Sequence, residues 1–153
     1  MAKKPTIADA QLILKLYDLR REAELRKARN WWFTQLWPES ADDFTKIAWA
    51  MGTQENNWLR QGAGYWSMAA SLVLSGTLNA DLFLQPTNSG EMYLIMAKVH
   101  PFLKEIRAKL EEPLLFGHIE KVINSTKFSR ERLQFMLKRI QVMREKRAAA
   151  KTN

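Results

Sequence analysis

The residues of this chain best suited to chemistry act by charge rather than by making bonds. Arg132, Arg139 and Lys146 border a narrow apolar stripe of Phe128, Phe135 and Val142. They lie in a segment, residues 127–153, with nine Lys/Arg against two Glu, while residues 1–126 carry fifteen Lys/Arg against fourteen Asp/Glu. The formal charge of +8 therefore divides into +7 and +1. Such a cationic segment attracts anionic partners within about a Debye length, ~8 Å at physiological salt. The same stretch carries a broad second stripe, Leu133, Met136, Leu137, Ile140 and Met143, on its other side. A helix docked on one side needs one apolar face, so the narrow stripe implies burial between two layers, a homodimer, or a partner surface with basic edges. An acidic protein, a nucleic acid and an anionic membrane all fit that last case. Arg132, Phe135, Arg139, Val142 and Lys146 are the expected anion or partner surface.

A second constellation is aromatic. All six tryptophans, Trp31, Trp32, Trp37, Trp49, Trp58 and Trp66, fall within 36 residues, joined by Phe33, Phe44 and Tyr65. Ligand sites are mostly apolar with a few placed polar groups. Trp58, Arg60, Tyr65 and Trp66 make a candidate pocket, with Asn56, Asn57 and Gln61 as further polar groups, and a core of large rings is the alternative. Trp31 and Trp37 are the tryptophans expected at the surface.

Bond-making chemistry is not nominated. There is no cysteine, so no disulfide, thiolate ligand or cysteine nucleophile. His100 and His118 stand 18 residues apart with no ligand one helical turn away, which supports no metal site. Asp42-Asp43 and Glu111-Glu112 are adjacent pairs that do not share a helix face for acid/base work. Gly62-Ala63-Gly64 lacks the third glycine and the preceding strand of a dinucleotide fingerprint. No catalytic residue and no cofactor is expected, and a non-enzymatic interaction or regulatory module is the expected function. A small-ligand binder using the Trp-rich region is the alternative.

The elements that must position these groups are helical, since apolar residues recur at helical spacing and no hairpin signal appears. A single all-α domain, 1–153, of six or seven helices is expected. The first helix runs from Thr6 or Asp9 to about Leu36, changing its apolar side midway. Ser40 caps a second helix, closed near Gly52. Thr53 caps a third, about 54–75, with Gly76 beyond its end; its Gly62, Ala69 and Ala70 mark it as the buried centre. Asn79 to Phe83 reads as a capped turn and Pro86 to Gly90 as the longest loop. His100-Pro101 interrupts a fourth helix begun near Glu91, Pro113 starts another, and Ser129 caps the last, about 129–147, before a frayed end. Deleting 127–153 is expected to remove partner binding while altering the fold less.

Gln61 to Ala80 contains no charge over roughly the 20 residues a bilayer requires, but its serines, glycines and Asn79 mark a buried helix rather than a membrane span. The polar N-terminal stretch predicts no signal peptide, and a cytoplasmic location is the expectation.

Leu12-Ile13-Leu14-Lys15-Leu16-Tyr17-Asp18-Leu19-Arg20-Arg21-Glu22, with Ala28-Arg29, Trp32 and later Tyr65-Trp66-Ser67-Met68-Ala69-Ala70-Ser71, resembles a family of uncharacterised small helical bacterial proteins. The resemblance implies a bacterial source and no assigned activity.

Overall fold

In the computed structural model, which describes residues 3–152, the helical periodicity resolves into nine α-helices, with no strand among the described residues. They are α1 (Ile7–Leu19), α2 (Ala23–Thr34), α3 (Ala41–Trp49), α4 (Gln54–Leu74), α5 (Ala80–Phe83), α6 (Pro86–Val99), α7 (Leu103–Leu110), α8 (Gly117–Asn124) and α9 (Lys127–Lys151). The expected all-α class is the observed one. Six or seven helices become nine because the first is two helices and the capped turn after Asn79 is a helix of its own.

Capping chemistry sets most starts. Thr6 with Asp9, and Ser40 with Asp43, form reciprocal capping boxes. The Thr53 hydroxyl accepts from the Asn56 N–H at 3.2 Å. Gly76, at φ +75°, takes the left-handed position just past the α4 C-cap Ser75.

Five local expectations are corrected. The first helix breaks at Arg20–Glu22 because its apolar stripe changes side: α1 and α2 pack on different neighbours, and the Glu22 side chain caps α2 by accepting from the Leu25 N–H. The expected loop at Pro86 is instead the first turn of α6. Proline there needs no N–H, and the disturbance is confined to Ser89 at φ −133°, ψ 20°. Pro113 does not start a helix: residues 113–116 form turns, Phe116 adopts a left-handed φ of 58° as its ring enters the core, and α8 begins at Gly117. Thr126, not Ser129, caps α9; Ser129 lies one turn inside, buried, its hydroxyl donating to the Ile123 carbonyl. The expected frayed end is helical to Lys151; Met1, Ala2 and Asn153 lie outside the described residues.

α4 packs on α2, α3 and α8, and α6 packs on α9. α4 buries one broad face, Leu59, Gly62, Tyr65, Trp66, Ala69, Ala70 and Val73, and leaves the other in solvent. The helix enclosed on all sides is α6, whose Met92, Tyr93, Ile95, Met96, Ala97, Lys98 and Val99 are all buried. The centre is thus shared, since a near-continuous apolar run is read as burial all round. No helix among the described residues is long and apolar enough to cross a membrane.

Two contacts fix how the helices meet. Gly62 lets α2 approach: the Trp32 indole lies against it, and its Nε1–H donates to the Trp58 carbonyl at 3.2 Å. Lys98, fully buried on α6, donates its ammonium to the carbonyls of Trp32, Phe33 (3.1 Å) and Leu36 (2.9 Å), the unsatisfied end of α2. The Trp37 ring lies over it, with its centroid 3.9 Å from Nζ. Three donors meet three acceptors, and the charge faces the negative end of a helix dipole.

A Cβ at Gly62 would overlap the Trp32 ring. Gly62→Ala should therefore lose stability by ~1–3 kcal/mol of overpacking, against a helix-propensity gain of ~1 kcal/mol. A melting temperature lowered by a few degrees checks this, and a rise would refute it. Burial, then Arg147 and Arg144, pushes the Lys98 ammonium down to about 7 from 10.5. Below pH 7 folded and unfolded chains both hold that proton. Between about 7 and 10.5 the unfolded chain binds more protons, so stability should rise with pH over that window. Tyr65 and Tyr93, pushed up to about 12 by burial, act oppositely above pH 10, where the unfolded chain loses their protons first. Denaturant titrations of the parent and Lys98→Met across the Lys98 window should show the rise in the parent alone; parallel curves would contradict it.

Candidate functional site

α9 meets the body through an inner face of Leu133, Met136 and Ile140, all buried. Its far end is held by side chains. The Arg144 Nη2 donates to the Lys98 carbonyl at 2.8 Å and the Pro38 carbonyl at 3.2 Å, and its guanidinium lies 5.4 Å from the Phe102 ring centroid. Arg147 lies over the Trp37 ring at 4.8 Å, and Lys151 pairs with Glu39 at 3.2 Å. These contacts set the rotation of α9 about its own axis. They also correct the expectation for the 127–153 deletion, because that segment is part of the core and its removal would uncover α6.

With the inner face fixed, the narrow stripe points outward. Phe128 is 45%, Phe135 49% and Val142 48% exposed, so burial between two layers of this fold is ruled out. Met143, expected on the inner stripe, is 37% exposed, and Leu137 is half-buried. Phe128, Phe135 and Val142 recur every seventh residue, and Arg132, Arg139 and Lys146 do so beside them. At ~100° per residue each row stays within an arc of roughly 40°. The Arg132 guanidinium lies 4.8 Å from the Phe135 ring centroid, and its buried Nε has no hydrogen-bond partner. Arg139 and Lys146 are exposed, and the other flank of the apolar row carries Glu131, Lys138 and Glu145. Among the described residues none of these four cations has a carboxylate partner, whereas Lys127 pairs with Glu131 and Lys151 with Glu39.

The aromatic constellation divides. Tyr65 and Trp66 lie in the core with ring centroids 5.0 Å apart, Tyr65 donating its hydroxyl to the Leu16 carbonyl at 2.6 Å. Arg60 is exposed on α4. Trp58 is half-buried against Trp31, centroids 6.2 Å apart, and the two line a surface cleft of about 430 Å³ with Arg26, Lys27, Asn30 and Gln35. Asn56 faces no ligand space: its amide donates to the Ile47 and Ala48 carbonyls and closes the end of α3. Trp31 is 4% exposed, against expectation, and the outward tryptophan is Trp49 at 65%.

Two charged contacts between helices went unread in the sequence. Lys98 is the lone charge in an apolar run, a signal that was present. Arg29 grips Glu91 with both Nε and Nη2, Arg20 approaches the same carboxylate at 3.7 Å, and Arg20 lies between the Tyr17 and Trp66 rings. Nothing in the sequence marks partners 62 residues apart. Both features tie helices together.

No curated protein and no solved structure matches the chain. Residues 5–126 match a family described as a domain of unknown function, DUF4760, which spans α1 to α8 and ends at the N-cap of α9. The match covers well over half of the sequence, and the chain belongs to the DUF4760 family.

Proposed function

We propose that the protein is a non-enzymatic interaction module that receives an anionic partner on the outer face of α9. The observation that carries this reading is the pairing of two rows on a helix that cannot turn away: three half-exposed apolar residues, and beside them cations with no carboxylate of their own. Two cations of the body do meet carboxylates, Arg107 donating to Glu120 at 2.8 Å and Lys109 lying 2.9 Å from Asp42. The surface lies beyond residues 5–126, the part that matches the family. Rim charges of this kind chiefly accelerate encounter and make it salt-dependent. Binding of the full chain to polyglutamate and to single-stranded DNA, followed across a salt series, tests the reading. Arg132→Gln, Arg139→Gln and Lys146→Gln combined should weaken whichever binding is seen by roughly tenfold, about 1.4 kcal/mol, without lowering the melting temperature. No binding to either polymer at low salt would overturn it.

A second reading rests on the Trp31–Trp58 cleft, whose volume falls within the range of small-ligand pockets. Two indoles with Arg26 and Lys27 at the rim suit a planar aromatic anion. 2-Naphthoate should then quench tryptophan fluorescence saturably and raise the melting temperature, and Trp58→Leu should abolish both effects. A quench that is linear in concentration, with no thermal shift, would dismiss it.

A further inference from the structure

Resting on the α9 reading, we infer that the partner is an acidic amphipathic helix of another protein, lying along α9 with its apolar residues between Phe128, Phe135 and Val142 and its carboxylates over Arg132, Arg139 and Lys146.

The spacing argues for a helix. Residues repeated every seven positions stay on one side of an α-helix, drifting only ~20° per repeat, so a second helix can lie along such a row. The row from Phe128 to Val142 is ~21 Å long at 1.5 Å per residue, two heptad intervals, which a partner helix of about three heptads would cover with overhang at both ends. The backbone beneath it is already ordered by the inner face, by Arg144 and by Arg147, so only the incoming segment loses conformational freedom on docking.

The charge argues for acid. Arg132, Arg139 and Lys146 line one side of the apolar row at the same interval, and carboxylates one helical repeat apart on the partner would face them in register, while the other side of the row carries Glu131, Lys138 and Glu145.

Other occupants fit less well. A second copy would set a segment of charge +7 against another of +7. A bilayer is entered by helices with a wide apolar face, whereas this row is one residue wide on a helix held against its body. Single-stranded nucleic acid stacks its bases on exposed ring faces, but Arg132 already covers one face of Phe135, and Val142 has no ring.

The test uses the full-length protein and a synthetic helix of about three heptads, with leucine at one repeat position and glutamate flanking it. The controls are a scrambled peptide of the same composition, polyglutamate, single-stranded DNA, phosphatidylglycerol vesicles, and light scattering of the protein alone. The ordered peptide should bind in a salt-dependent way and at least tenfold more tightly than its scrambled form. Phe135→Ala, and independently Val142→Ala, should remove most of that difference while leaving weak polyglutamate binding and the melting temperature unchanged. Arg139→Glu should abolish peptide binding, and a peptide with lysine in place of the facing glutamates should restore it to the variant, a recovery that a purely structural role for Arg139 would not produce. Equal binding of ordered and scrambled peptides, tighter binding of DNA or vesicles than of the ordered peptide, or self-association that blocks the peptide would overturn this inference and leave the anionic-partner reading standing. Failure of every anionic probe would overturn both.

Discussion

The position of α9 depends on one buried lysine. Lys98 projects from the most enclosed helix of the fold and fills the carbonyl end of α2, where the chain turns through Trp37-Pro38 toward α3. The Lys98 backbone carbonyl in turn accepts from Arg144, which also reaches the Pro38 carbonyl. Three helices from distant parts of the sequence are thereby joined within one hydrogen-bonded cluster. Trp37 lies between the cations, with Lys98 on its ring at 3.9 Å and Arg147 at 4.8 Å. Like charges gathered this closely repel, and carbonyl oxygens and an aromatic face hold them there in place of carboxylates. Shifting α9 by one residue would move Arg144 off both carbonyls, so the cluster selects a register that the apolar inner face alone would specify less sharply.

About two turns back along α6, a similar problem is solved with a true ion pair. Glu91, near the start of α6, receives Arg29 of α2 and Arg20 from the α1–α2 break, and the Tyr65 hydroxyl closes the neighbouring Leu16 carbonyl. α6 is therefore held near its start by a carboxylate and near its end by an ammonium, both meeting α2 or its flanks. The close approach of Trp32 to Gly62 lies between these two anchors and brings α4 onto the same helix. Charge and steric fit together orient α2, a helix whose own apolar content would not hold it.

What the sequence made legible was what is local. Thr6, Ser40, Thr53, Asn79 and Gly76 announce their caps because a cap is decided within four residues. Asn56 was misassigned to a pocket because its true partners, the last carbonyls of α3, become visible only once the α3–α4 corner is folded. Proline carried the least reliable signal: Pro86 opens a helix and Pro113 does not, although each could occupy a first turn, and the difference arises from the Phe116 ring being drawn into the core beside Trp32 and Phe44. The candidate surface was legible for a related reason. Arg132, Phe135, Arg139, Val142 and Lys146 share one face of one helix, so helical periodicity suffices to place them together. The Trp-rich set required tertiary knowledge, since Trp58 faces α2 while Tyr65 and Trp66, two turns along α4, face α1 and α5.

α9 carries apolar residues on two sides, and that explains why it looks poorly amphipathic. Its inner stripe and its outer row each contribute apolar residues, so their vectors partly cancel around the helix. A helix serving only the core can place polar residues at such positions, as this chain does with Glu55, Asn57 and Arg60 on the solvent side of α4, where Met68 and Leu74 are exposed as well. Half-exposed phenylalanines in single positions are ordinary. Their recurrence every seventh residue, in step with cations that have no carboxylate partner, is not required by any contact within the fold. The body needs α9 for its inner face and its arginine anchors, and the outer row is surplus to that need.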